Sequence, residues 1–483
     1  MKFFSNKRYP CNIFSAFIIL IFSSSLFVII SCKKLVAVTE PVDSITTSEV
    51  FENEATAISS VISIYNSFRP SNASLGIQNM LSLYAGLSSD ELNFFNGTDI
   101  NVIQFQNNSL DATNPFVQDF WTPVYSTIYR ANAVIEFLPQ STSVSDSVKN
   151  QLIGEAQFLR ALCYFYLTNL FGNVPLITTT SWVQSSGIYR ISQGQIYQRI
   201  ISDLLDAKDK LSGDYSISSG ERIRATKWAA AALLAKIYLY QQDWQEALQN
   251  SSEVISNNAL YALQSDLNKV FLASNASNIN KEAIWQIQVY PQSPFSCVEG
   301  LRLIPASRTS APTWYITNQL MSAFEAGDMR RRLWVDSTKY TVSGITTVYY
   351  YPYKYKVRTA SSVTEYDMIL RLAEQYLIRA EAKANLNDLS GAVSDLNILR
   401  NRAGLTNLSA SLSQSQVMAA IYQERQVELF SEKGDRWFDI KRTGRSSGVL
   451  GPIKPGWTNN DTLYPIPYSE IQVAPNLKQN PDY

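Results

Sequence analysis

The sequence predicts a mostly α-helical fold, built from degenerate tetratricopeptide-type helix pairs joined by long loops, with a few short β-strands. Three observations carry this expectation. Apolar residues recur at helical spacing through much of the chain. Two segments place alanines twelve residues apart across a turn, as stacked helix pairs do. The stretches between them lack a period and are rich in Asn, Ser, Pro and Tyr.

The chain opens on Lys2, Lys7 and Arg8 with no acid nearby, followed by an apolar stretch over 13–30 broken only by serines and an alanine. These are the basic and hydrophobic regions of a secretory signal. The stretch stops at Ser31-Cys32, the small residue and cysteine that a lipoprotein signal peptidase needs. Residues 1–31 are therefore expected to be removed as a signal peptide, leaving Cys32 as the lipid-bearing first mature residue. An uncleaved membrane helix is the alternative, because spanning takes about 17–25 apolar residues. Ile29 and Ile30 depart from a strict lipobox, but Cys32 stands where the apolar stretch ends. No other apolar segment is long enough to span a bilayer.

The first helix is expected over 54–68, with Ile58, Val61, Ile62, Tyr65 and Phe68 on one face. A second, over 121–138, places Tyr125, Ile128, Tyr129 and Ala133 together. The segment 154–171 is apolar nearly all round, which predicts a buried helix, stopped by Gly172-Asn173-Val174-Pro175. Residues 84–115 read as a loop. The first helix pair has Ala235 and Ala247 around Asp243-Trp244, and the second has Ala380 and Ala392 around Asp388-Leu389, with Lys383 where a tyrosine is usual. Small residues at these points let antiparallel helices approach closely. Residues 288–313 form a proline- and serine-rich insert without a period. Residues 346–357 alternate and carry Tyr349, Tyr351, Tyr353 and Tyr355, which reads as a strand that Pro352 confines to an edge.

Composition limits the function. The chain has 41 basic and 41 acidic residues, and removing Lys2, Lys7 and Arg8 leaves 38 against 41, a net charge of −3. That is no footprint for nucleic acid. There is no histidine, which excludes Ser-His-Asp and Cys-His catalysis and histidine-ligated metal sites. Beyond Cys32 the mature chain has Cys163 and Cys297, and Cys163 lies in an apolar helical pattern that suits a buried thiol.

The run 424–444 interleaves Glu424, Arg425, Glu428, Glu432, Lys433, Asp435, Arg436, Asp439, Lys441 and Arg442 with Trp437 and Phe438. Together with the Arg160–Leu167 stretch, the Gly-Asn-Val-Pro-Leu tail at 172–176 and the closing Tyr464-Pro-Ile-Pro-Tyr-Ser-Glu-Ile to Asn480-Pro-Asp-Tyr483, it resembles the SusD/RagB family of outer-membrane nutrient-binding lipoproteins. Ala474 and Asp482 depart from that closing motif. The resemblance implies a SusD-like α-helical fold and no enzyme activity. It divides the mature chain into an N-terminal region, 32–245, and a C-terminal region, 246–483. It also implies a cell-surface protein that binds a nutrient, an oligosaccharide above all, and delivers it to a SusC-like TonB-dependent transporter. The rivals are a surface-anchored carbohydrate hydrolase, for which two carboxylates suffice, and a tetratricopeptide-type scaffold binding only proteins.

Two readings of Glu424 and Glu428 arise from their spacing of one helical turn. They suit a catalytic dyad, but the surrounding cations lower carboxylate pKa values and favour a structural ion network. Ligand contacts are instead expected on loops held by a rigid scaffold. Phe94 and Phe95 beside Asp90 and Asn96 are the first candidates. Tyr290, Phe295 and Trp314 of the insert, with Arg302 and Arg308 near them, are the second, and Trp182 is the third. No cofactor or metal is expected.

The signal reading makes a direct prediction. Cys32→Ala should block processing or release the protein from the membrane, read by fractionation and by a mobility shift of the unprocessed precursor. Normal processing and undiminished anchoring would refute it.

Overall fold

A stack of antiparallel helices fills most of the molecule. The computed structural model describes residues 47–69, 77–275, 278–289, 296–474 and 476–483. Cys32, Tyr290 and Phe295 lie outside these. Contacts divide the chain into Met1–Glu49, of which only residues 47–49 are described, and Val50–Tyr483. All the named helices and strands belong to the second unit.

We number the longer helices α1 (Glu54–Asn66), α2 (Ile100–Asn107), α3 (Pro115–Phe137), α4 (Asp146–Phe171), α5 (Gln193–Lys210), α6 (Lys227–Tyr240), α7 (Trp244–Ser256), α8 (Leu372–Asn385), α9 (Leu389–Arg402), α10 (Gln414–Leu429) and α11 (Asp435–Arg442). The strands are β1 (Leu92–Phe94), β2 (Val174–Pro175), β3 (Arg190–Ile191), β4 (Ala283–Ile287), β5 (Trp314–Ile316), β6 (Val335–Val342), β7 (Ile345–Pro352) and β8 (Asp367–Arg371). They form four antiparallel pairs, β1 with β5, β2 with β3, β4 with β8 and β6 with β7.

From α3 to α10 each helix packs on the next in chain order, which is how repeat pairs bury a shared core. The pairs α6–α7 and α8–α9 are the two expected hairpins. Ala235, Ala247, Ala380 and Ala392 are fully buried. Asp243 and Asp388 cap the second helix of each pair, accepting from Glu246 N at 3.2 Å and Gly391 N at 2.9 Å. Lys383 bonds Asp395 at 2.9 Å, an ion pair at the tyrosine's usual place. One buried apolar cluster runs from Phe51 to Ile466, so residues on both sides of 245 share a core. Cys163 and Cys297 are buried and unpaired.

Several details differ from expectation. In α1 the buried positions are Ala57, Val61, Ile64 and Tyr65, while Ile62 is exposed. In α3 the buried stripe passes through Val124, Ile128 and Ala131, and Tyr129, roughly 100° further round, faces out. Residues 84–115 are not a loop, for they hold part of a π-helical turn (Leu81–Ala85), β1 and α2. The tyrosine-rich strand ends at Pro352, paired with a preceding strand that lacked a legible period.

The segment 424–442 is the hub of a buried ion network. Arg330, fully buried, meets Asp328 at 2.9 Å, Glu424 at 2.5 Å and Glu428 at 2.8 Å. Arg371 meets Glu428 at 2.6 Å and Glu432 at 2.8 Å. Arg402 joins Glu282 at 2.9 Å and also Glu428, and Lys354 joins Glu432. Arg425 and Arg442 share Asp439 at 2.7 and 2.8 Å. Arg436 holds Asp90 with two bonds of 2.7 Å. Trp437 is fully buried among them. Burial alone would raise the Glu428 carboxyl, but Arg402, Arg371 and Arg330 outweigh it and hold it well below its ordinary value. At Glu424 the balance reverses, because burial exceeds the pull of Arg330 and raises the carboxyl. The expectation that cations lower every acid here therefore fails at Glu424.

Glu428→Gln leaves three guanidiniums short of a counter-charge and should cost about 3–5 kcal/mol, read by denaturant unfolding. A cost under about 1 kcal/mol would remove Glu428 from the hub. Glu91 allows a test by pH. It is 2% exposed, accepts Ser431 N at 3.2 Å and has a second oxygen without a partner among the described residues. Burial, reinforced by Asp90, raises its carboxyl from 4.5 to about 8, against Ser431 N–H, Arg436 and Lys354. The folded state disfavours the charged form, so this cost is absent below the unfolded value and grows as pH rises toward 8. Glu91→Gln should therefore raise Tm over wild type at about pH 9 and change it little at about pH 5. An equal shift at both pH values would refute the assignment.

Candidate functional site

The site is built where β1 and β5 form a short ribbon over the network. Leu92 pairs with Ile316, Asn93 with Tyr315 and Phe94 with Trp314. The ribbon is anchored below by Asp90 on Arg436 and by Thr317, whose N–H donates to Glu91 O at 3.0 Å. Phe94 N donates to the Gln106 side chain at 2.6 Å, tying β1 to α2. Asp99 caps α2, accepting from Asn101 N at 3.1 Å.

Beside the ribbon lies a cavity of about 600 Å³. Tyr84, Phe94, Phe116 and Trp314 give it an aromatic lining, and Asp99, Asp119, Arg302 and Arg358 supply charge. The Tyr84 ring stacks on Phe116 at 4.8 Å and meets Trp314 edge-on at 6.0 Å, and Phe94 leans on Trp314 at 5.3 Å. The opposite wall is the short helix Val298–Leu303 and the chain after it. Arg358 fastens that wall by donating to Leu301 O at 2.5 Å. Gly300 is required there, since a Cβ would lie 2.2 Å from Val357 O.

Among the described residues, Arg302 and Asp119 make no ion pair or hydrogen bond, and both are exposed. Their polar groups are open to solvent. Burial, helped by Asp99 and Asp119 and opposed by Arg302, holds the Tyr84 phenol well above its ordinary value, so it is a hydrogen-bond donor at neutral pH. Desolvation raises the Asp119 carboxyl. The arrangement can stack a flat apolar face and bond hydroxyls at its rim. No cluster of three or more His, Cys, Asp or Glu among the described residues is placed to hold a metal ion.

The sequence candidates separate. Phe94 and Trp314 lie together in the cavity, and Arg302 joins them. Phe95 is on the ribbon's other side, against Tyr340 and Tyr349. Asn96 is exposed at the turn after β1. The adjacent phenylalanines are half-buried on opposite sides of a strand, not side by side in a loop. Asp90 is 4% exposed in its side chain and bound to Arg436, which places it in the supporting network and not on a ligand surface. Trp182 is 74% exposed, in a separate short helix, and does not line the cavity. Tyr290 lies outside the described residues. Tyr84, Phe116, Asp99, Asp119 and Arg358 were not anticipated. The Asn114-Pro115 helix start was the local signal for Phe116; Tyr84 had none, because the π-turn that aims it has no sequence period.

Comparison with known proteins agrees with this architecture. The family model described as "SusD family" matches residues 307–483, and one described as "Starch-binding associating with outer membrane" matches residues 48–239. A SusD-like protein of Formosa agariphila is 30% identical over 431 residues, covering 79% of this chain and 83% of that protein. The starch-binding protein SusD of Bacteroides thetaiotaomicron is 24% identical, covering 72% and 75%. Among solved structures, a SusD superfamily protein from Bacteroides vulgatus superposes with a TM-score of 0.77 at 22% identity, over 89% of this chain and 99% of that one. A laminarin-binding SusD-like protein gives 0.75 at 23% identity, over 89% and 100%. With its helix-pair stack, its signature network and relatives matched over most of their length, the chain belongs to the SusD family.

Proposed function

We propose that the protein binds a saccharide in the cavity beside the β1–β5 ribbon and hands it to a TonB-dependent outer-membrane transporter, remaining anchored through lipid at Cys32. The observation that carries this reading is the aromatic lining of Tyr84, Phe94, Phe116 and Trp314 rimmed by free polar groups at Arg302 and Asp119. Pyranose rings present apolar C–H faces and hydroxyl edges, which such a lining matches. The names of the relatives, a starch-binding protein and a laminarin-binding one, point to the same ligand class. Asp99 is committed to capping α2, so the cavity carboxylates read as hydroxyl acceptors and not as a hydrolytic pair.

The test is affinity electrophoresis and calorimetry against a panel of soluble polysaccharides, laminarin and starch included. An open site of this kind should bind in the micromolar to millimolar range, about −4 to −8 kcal/mol. Phe94→Ala and Arg302→Ala should each weaken binding by about tenfold, as loss of an interface anchor does, with the circular dichroism spectrum unchanged. Bound polysaccharide should not be shortened on incubation. Unaltered binding in both variants would move the site elsewhere, and release of shorter saccharides would favour the hydrolase.

A further inference from the structure

We propose that the short turn around Trp182 is a membrane-contact surface, which rests on the lipid bilayer beside the acyl chains carried by Cys32. The proposal rests on the lipid-anchor reading and adds to it a contact made by the folded protein's own side chains.

Trp182 is the one exposed tryptophan of nine, and the other eight are buried or half-buried. It is 74% exposed, with Val183 at 85% and Tyr189 at 64%. Val473, also exposed, belongs to the adjoining segment, where Asn476 Nδ2 donates to Gly187 O at 3.1 Å. Single exposed apolar residues are ordinary, but several on adjoining segments mark a contact surface. The backbone holds this turn outward. Ser181 caps it by accepting from Gln184 N at 3.4 Å, and Ser186 N donates to Trp182 O at 2.8 Å. At its base Arg190 donates to Asn173 O at 2.7 Å and to Phe171 O at 3.3 Å.

The chemistry of the turn suits lipid. No residue from Phe171 to Tyr189 is charged, in a chain where 17% of residues are. The guanidinium that follows, on Arg190, is spent on the carbonyls beneath. Valine offers no flat face to a sugar ring, whereas a branched aliphatic side chain partitions readily into hydrocarbon. Among the described residues, the Trp182 indole N–H and the Tyr189 hydroxyl have no partner. A ring with one polar end belongs at the boundary between headgroups and acyl chains.

The tether names the occupant. Eighteen residues separate Cys32 from Phe51, so a lipid on Cys32 keeps Phe51 within about 65 Å of the bilayer. Phe51 stacks on Phe137 at the C-terminal end of α3, with centroids 6.5 Å apart and planes 10° apart. The adjacent Glu136 accepts from Thr180 N at 2.9 Å, two residues before Trp182. Asn132, one helical turn earlier, donates to Ile177 O at 3.0 Å. The point where the tether enters and the base of the Trp182 turn are thus fastened to the same end of α3. A bilayer already held by the acyl chains meets this turn at high local concentration, so weak ring contacts add to the anchor as linked contacts do.

The test reconstitutes the lipidated mature protein in vesicles of phosphatidylethanolamine and phosphatidylglycerol that contain a phosphatidylcholine brominated high on its acyl chains. Bromine quenches indole fluorescence only at close range, and Trp182 is the exposed indole. Wild-type fluorescence should fall in brominated vesicles, and Trp182→Phe should abolish the fall. Transfer of the protein to acceptor vesicles should be about tenfold faster for Trp182→Ser/Val183→Ser and close to wild type for Trp182→Phe, which keeps an apolar ring. Saccharide binding should be unchanged in both variants, since Trp182 does not line the cavity. High salt should not speed transfer, because the turn carries no charge to screen. Should the double serine variant fail to fold, quenching in Trp182→Phe decides. Equal quenching with and without Trp182, or wild-type transfer by the folded double variant, overturns the membrane contact and spares the anchor, including the case where only a protein partner is lost. A mature protein whose mass shows no acyl group overturns the anchor reading, and the membrane contact with it.

Discussion

Everything else in the structure hangs on guanidinium groups neutralised out of contact with water. Arg330, Arg371, Arg402, Arg425 and Arg442 are buried with Glu282, Glu424, Glu428, Glu432, Glu381 and Asp439. Desolvating so many charges is expensive, and mutual attraction offsets it only when each member is in place. The planar guanidinium suits this role, since one Arg371 side chain bonds Glu428 and Glu432 at once. The network draws on α8 through Glu381, on α9 through Arg402, on β8 through Arg371 and on α10 through Glu428, so it clamps helix stack to strand pair.

The candidate site is mounted on this clamp through one turn. Ser431, Lys433 and Gly434 adopt φ of 54°, 47° and 75°. For the two non-glycine residues that backbone costs about 1–3 kcal/mol each. The turn is held because it touches each part of the site's base. Ser431 N–H meets Glu91, Lys433 N–H meets Ser82 at 3.2 Å, and the Lys433 ammonium meets Glu299 at 2.8 Å. Gly434 sits where a Cβ would come within 3.0 Å of Ala85. The π-turn with Tyr84, the ribbon and the helix Val298–Leu303 are thus located by one short stretch of the signature. The most recognisable part of the sequence positions the candidate site without belonging to it.

This explains which parts were legible. The helix pairs and the mixed-charge hub were readable because each writes a local pattern, small residues twelve apart or charges around Trp437. The ribbon was not, because β1 and β5 are three residues long and more than two hundred residues apart, too short for a period and too distant for a turn. Phe94 and Phe95 could be picked as an exposed-looking pair, but not sorted to two faces until β5 supplied the ladder. Asp90 looked like a polar neighbour of aromatics in sequence, and only Arg436, distant along the chain, reveals it as a strut. Tyr84 sits in a π-turn whose residues are all buried, and Asp119 is one of several exposed polar residues on its helix, so nothing local marks either.

The separation between clamp and surface has an evolutionary consequence. Rings such as Tyr315, Tyr340 and Tyr349 are partly exposed and bear on one another and on Phe95, not on the charged hub. Exchanging them should cost folding little, while a single exchange in the hub strands a buried charge. Substitutions that survive selection for stability are therefore channelled toward the ribbon and the hairpin. A lineage built on this frame can vary that surface by point mutation while its skeleton stays put.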